Sequence, residues 1–130
     1  MDAPNTVVEK VRAHQQVEQS IGERFARLEE KMPLAGNTIL TIADVAKKSD
    51  LVQRFAQLGK HIERNIKAFR ASSHKAQTVL KELKSSKPNW LAVERALDRA
   101  LEIVARIDGD LKDHENALDD VLAACRTARH

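Results

Sequence analysis

The sequence predicts an all-α fold: an antiparallel bundle of three long helices plus one short connecting helix, with coiled-coil-like packing. Three observations predict it. Ala, Leu, Glu, Lys and Arg together make up nearly half of the 130 residues, the bias that goes with long helices. The chain holds three Phe, one Trp, no Tyr, four Gly and three Pro, too few aromatic and turn-forming residues for an all-β domain. Apolar residues recur in alternating steps of three and four over long stretches, the spacing of one helix face. The length is that of one domain, taken to span residues 1–130.

The prolines at 4, 33 and 88 punctuate the chain. Thr6-Val7-Val8-Glu9 reads as a capping box, in which a hydroxyl and a carboxylate satisfy each other's backbone amides. Helix 7–32 should follow, carrying Val7, Val11, His14, Ile21, Phe25, Leu28 and Met32 on its stripe. Pro33 ends it, because proline lacks the N–H and its ring clashes with the carbonyl four residues back. In the long connection 33–49, Thr41-Ile42-Ala43-Asp44 resembles a second capping box and predicts a short helix over 42–48.

Helix 50–86 is predicted from Leu51, Phe55, Leu58, Ile62, Asn65, Phe69, Ser72, Ala76, Val79 and Leu83. Helix 89–127 is predicted from Trp90, Val93, Leu97, Ala100, Val104, Ile107, Leu111, His114, Leu118, Val121 and Cys125. Gly59 and Gly109 lie inside these patterns, and each costs about 1 kcal/mol against Ala. The stripes pass both glycines in phase, so both helices are read as continuous. Leu101, Ile103 and Leu122 widen the apolar arc of the last helix, which makes it the central one.

The short connection from Ser86 to Asn89 makes the last two helices a hairpin, with Leu58 near His114 and Leu51 near Leu122. The first helix then runs antiparallel to the second, with Leu28 near Phe55, and Val7 reaches only to about Ala76. That leaves Val79, Leu80, Leu83, Trp90, Leu91 and Val93 uncovered at the hairpin tip. Burying such a side chain is worth ~1.5 to 3 kcal/mol, so this tip is the expected protein-binding surface and the expected contact of a homodimer. Leu34, Ile39, Leu40, Ile42 and Val45 either form a second surface or close the other end of the bundle.

The formal charge of +3 hides an uneven distribution. Residues 50–87 carry nine basic and three acidic groups, whereas 88–130 carry six and nine. Lys60, Arg64, Lys67, Arg70 and Lys75 form a basic rod that suits nucleic acid or another polyanion. No aromatic is interleaved with these charges, which ranks that partner second.

Candidate chemistry is sparse. His14 and His114 occupy stripe positions and read as buried, hydrogen-bonded histidines. His61 can approach His114, but no third ligand stands out, and zinc needs at least three. His74 lacks the following spacing of a phosphotransfer histidine. The acidic run Asp108, Asp110, Asp113, Glu115, Asp119, Asp120 has no Gly-centred EF-hand loop and reads as a solvated face. Asn65 interrupts an apolar stripe, where a polar residue fixes register at a cost in stability. The single cysteine, Cys125, excludes an internal disulfide and a thiolate zinc cluster. No catalytic residue, metal or cofactor is expected.

The N-terminus lacks the features of a secretory signal. The longest uncharged stretch, Met32 to Ala43, falls short of the roughly 20 residues of a membrane span. The expectation is a cytoplasmic, non-catalytic interaction or scaffold module that associates with itself through helical surfaces.

Overall fold

A computed structural model describes residues 3–128; residues 1, 2, 129 and 130 of the expected domain lie outside the described part. Among the described residues the chain forms three helices and no strand: α1 (Ala3–Leu40), α2 (Val45–Glu82) and α3 (Trp90–Ala128). The all-α expectation holds, while the short helix over 42–48 is absent.

The largest correction concerns Pro33. α1 does not stop at residue 32 but continues through Pro33 to Leu40. A proline inside a helix costs about 3 kcal/mol through the lost bond and the ring clash. Glu29, which loses the hydrogen bond, and Pro33 are both exposed, so water can reach that turn. Two further turns bury Ala35 and Ile39 at 0% and 1% exposure. Ile39 and Ile42 pack with Leu51, Val121 and Cys125 in a cluster that closes this end of the bundle. Burying side chains of this size is worth ~1.5 to 3 kcal/mol each, enough to offset the proline.

The turn chemistry shifts accordingly. Thr41 donates backward from its hydroxyl to the Thr38 carbonyl at 2.7 Å instead of capping a new helix. Asp44 takes the N-cap of α2, at φ −68° and ψ 110°, and its carboxylate accepts from the Lys47 amide at 3.1 Å. The expected connection 33–49 thus shrinks to residues 41–44, and Val45 to Lys48 become the first turn of α2. At its other end α2 stops at Glu82 rather than 86. Asn89 caps α3, its side chain accepting from the Ala92 amide at 3.1 Å. The capping box at Thr6 is also superseded, because the helix has already begun at Ala3.

α3 is the central helix, packed along both neighbours, which touch each other least. Every stripe residue from Val93 to Cys125 is buried. Both Gly59 and Gly109 lie in unbroken helix. α2 is antiparallel to α3, with the rings of His61 and His114 stacked 6.4 Å apart.

α1 is parallel to α3 and fastened to it by two cations. Lys10 bridges Glu94 at 2.9 Å and Asp98 at 2.6 Å. Fourteen residues on, the Arg24 guanidinium bridges Asp108 and Glu115, its Nε lying 3.2 Å from Glu115 Oε1. Part of the acidic run expected to face solvent is therefore spent in holding α1.

The continuation of α1 also resets its register against α2. Gly36, not Leu28, stands opposite Phe55, and Gly22 stands opposite Phe69. The shift is about eight residues, the length added beyond Met32. Val7 consequently reaches past Ala76 to the tip, where it packs with Val93 and Leu97.

Candidate interaction surface

The hairpin tip is less open than its sequence suggests. Val93 is 2% exposed and belongs to the core with Val7 and Leu97. Val79, Leu83 and Trp90 are half-buried against that cluster, with Val11 covering part of it. Leu80 is half-buried too. Of the six tip residues only Leu91, at 59%, is an exposed large apolar side chain. The premise of an uncovered cluster fails because α1 is longer than Pro33 implies.

The connection residues divide. Ile39 and Ile42 close the bundle, whereas Leu34, Leu40 and Val45 are 66%, 64% and 79% exposed.

Where α1 and α2 approach without interdigitating, an apolar groove opens along the bundle. One part has a volume of about 610 Å3 and is lined by Met32, Pro33, Phe55, Gly59, Ile62 and Ile66, with Glu29, Glu63, Lys67 and Arg70 at its edges. It continues into a second part of about 380 Å3 over Gly22, Phe25, Ala26 and Phe69, sharing Glu29, Ile66 and Arg70 with the first. The rings of Phe25 and Phe69 are 5.8 Å apart, tilted at 47°. A separate, smaller pocket lies nearer the hairpin tip, between His14, Gln15 and Glu18 of α1, Ser73, Ala76 and Gln77 of α2, and Leu97 of α3.

Helical spacing carries the groove toward the α1/α2 turn. Val45, Val52, Gly59 and Ile66 are seven residues apart and share one stripe of α2, as Ala26, Pro33 and Leu40 share one of α1. Leu40, Val45 and Val52 (44% exposed) stand on these stripes. Sequence reasoning missed this face because it placed the end of α1 at residue 32. The signal was present as the heptad of Val45, Val52, Gly59 and Ile66.

Polar groups on the stripes behave differently from one another. Asn65 Nδ2 and His114 Nε2 share a hydrogen bond at 2.7 Å across the α2/α3 seam. Burial pushes the His114 pKa down, assisted by the nearby His61 charge and opposed by Asp110 and Asp113. His14 is 2% exposed, and its Nδ1 lies 3.2 Å from Glu18. His14 Nε2 and the Ser72 hydroxyl are buried without a hydrogen-bond partner among the described residues.

The basic rod is solvent-facing. Lys67 lies 3.7 Å from Glu63, with both side chains more than two-thirds exposed. Lys60, Arg64, Arg70 and Lys75 are exposed.

Among the described residues no helix is long and apolar enough to cross a membrane. No protein-family model, curated protein or solved structure matches the chain.

Proposed function

We propose that the chain is a non-catalytic, cytoplasmic protein–protein interaction module that associates through the open α1/α2 face. One observation carries the reading: apolar side chains line a groove between α1 and α2, and Leu40, Val45 and Val52 near the α1/α2 turn are exposed large apolar side chains. Large contiguous exposed apolar patches mark interaction surfaces. Each such side chain contributes ~1.5 to 3 kcal/mol when a partner buries it. The coiled-coil-like seam expected of the bundle fits this reading, since a further helix can occupy the groove as it would a vacant bundle position. The hairpin tip, with Leu91 exposed, is the lesser surface.

Ile66→Glu places a charge on the groove floor, and Leu91→Glu does the same at the tip. Molar mass by light scattering, and capture of partners from native extract, should change in Ile66→Glu and not in Leu91→Glu. The reverse pattern, or no change in either, refutes the assignment. Circular dichroism confirms that each variant keeps its helices.

A second reading draws on the basic rod. Lys60, Arg64, Arg70 and Lys75 have no carboxylate partner among the described residues, which leaves their charge available to a polyanion. Retardation of an RNA or DNA probe that weakens steeply with salt, and is lost on charge reversal at Arg64, Lys67 and Arg70, would favour it.

A further inference from the structure

We propose that the hairpin tip docks on the surface of an anionic lipid bilayer, which it meets end-on through basic side chains and the apolar groups of Trp90 and Leu91. The inference goes beyond the interaction-module reading and stands independently of the α1/α2 face.

The two ends of the bundle differ in charge. At the tip, residues 3–13 and 76–99 carry seven basic and four acidic groups; at the opposite end, residues 30–55 and 118–128 carry five of each. Two of the acidic groups at the tip are already engaged, Glu94 and Asp98 lying 2.9 and 2.6 Å from Lys10. Lys81, Lys84, Lys87 and Arg95 are exposed. None of the four has a carboxylate partner among the described residues. The three lysines stand three residues apart where α2 ends and the connection to α3 begins. α1 and α3 both start at this end, and the amide end of a helix adds a little to the positive potential.

A cationic surface by itself suits any polyanion, and the apolar groups beside it single out lipid. Leu91 is 59% exposed in the first turn of α3. Arg95 follows it by four residues and so shares its side of the helix. Val8, near the start of α1, is 47% exposed. Trp90 packs part of its ring on the cluster of Val7, Val93 and Leu97, while its indole N–H makes no hydrogen bond among the described residues. An apolar ring with an unpaired donor is what draws tryptophan to the boundary between headgroups and acyl chains. The opposite end also exposes Leu40 and Val45, but its balanced charge gives an anionic surface no hold. Charge attraction and shallow apolar insertion are each marginal alone, and together they keep a peripheral protein on a membrane.

Vesicle co-sedimentation with the full chain tests the docking. Vesicles of phosphatidylcholine containing about one-third phosphatidylserine should carry the protein down at low salt and release it as salt screens the charges. Vesicles of phosphatidylcholine alone should leave it in solution. Trp90 is the single tryptophan of the chain, so its emission should move to the blue on binding and be quenched by brominated acyl chains. Each basic residue close to an anionic bilayer strengthens binding about fivefold, so replacing Lys81, Lys84 and Lys87 together by Gln should weaken it about a hundredfold. Leu91→Glu should weaken it about tenfold or more, with helicity by circular dichroism unchanged. Arg64→Gln with Lys67→Gln, roughly 25 Å back along α2, should change it less than about twofold. Ile66→Glu, in the α1/α2 groove, should leave it unchanged, which separates this docking from the interaction module.

The proposal is overturned by a wild type that ignores phosphatidylserine, by equal binding to both kinds of vesicle, or by tryptophan emission that stays in place on binding. It is also overturned if the Arg64 and Lys67 replacements cost as much as the lysine triple, or if Ile66→Glu abolishes binding, since either result moves the lipid away from the tip. Retardation of a nucleic-acid probe that needs Lys81, Lys84 and Lys87, without vesicle binding, overturns the lipid surface in favour of a nucleic acid.

Discussion

Replacing Arg24 by Met tests what holds α1 against α3 and thereby leaves its other side open toward α2. The Arg24 side chain is 15% exposed, while its partners Asp108 and Glu115 are 37% and 38% exposed. Its pKa is raised, first by the hydrogen bond it donates to Glu115 and then, against the cost of burial, by the one it donates to Asp108. Solvent-exposed ion pairs are worth ~0.2 to 1 kcal/mol, and breaking a fully buried one costs ~3 to 5 kcal/mol. A mostly buried guanidinium between two half-exposed carboxylates falls between these limits. Met preserves much of the aliphatic packing, so the loss should be about 2 kcal/mol. At this chain length each kcal/mol moves the melting temperature by roughly 3 to 5 °C, so a fall of about 6 to 10 °C is expected by differential scanning calorimetry. A double-mutant cycle with Glu115→Gln should give a coupling of about 1 kcal/mol or more. A loss below about 0.5 kcal/mol, or one that vanishes in half-molar salt as surface pairs do, would refute the reasoning.

Three further outcomes follow from the packing. Because burial lowers the folded-state pKa of His114 below its unfolded value of about 6.5, protonation favours the unfolded chain. Its stabilising contribution is complete above that pH and is lost as pH falls through the folded pKa, so thermal melts should show lower stability at pH 5 than at pH 7. His114→Gln, which can still accept from Asn65, should flatten the decline; an unchanged slope would exclude His114 as its source. Gly109→Ala should raise stability by up to about 1 kcal/mol, since its Cβ meets nothing within 4 Å, whereas Gly36→Ala should gain nothing because its Cβ would crowd Phe55 at 3.3 Å. Equal gains at the two positions in denaturant melts would contradict the packing described. Pro33→Ala restores the missing bond to Glu29 and should stabilise by about 1 to 3 kcal/mol; destabilisation would mean that the proline is needed for the path of α1.

The degree to which these features could be read in advance differs by element. α3 was legible almost to the residue, because its stripe runs without a breaker and is buried against two neighbours. The approach of His61 to His114 followed from the short hairpin connection and is found. Pro33 misled, because a local rule about hydrogen bonding was outweighed by burial of Ala35, Ile39 and Ile42, the last two packed on Val121 and Cys125 far along the chain. From that one misplaced end came the wrong register of α1 against α2, the apparent exposure of Val93, and the unnoticed groove. Asn65, expected as a polar interruption of the stripe, is found hydrogen-bonded to His114 across the hairpin.

Periodicity, composition and the uneven charge were enough to specify three long amphipathic helices, the hairpin of the last two and the central place of α3. These depend on which residues are apolar and how far apart they stand, and both are written along the chain. The end of α1, its register and the open face between α1 and α2 came from packing. Each depends on a balance between a local backbone cost and burial against distant side chains, and neighbouring residues alone do not carry that balance.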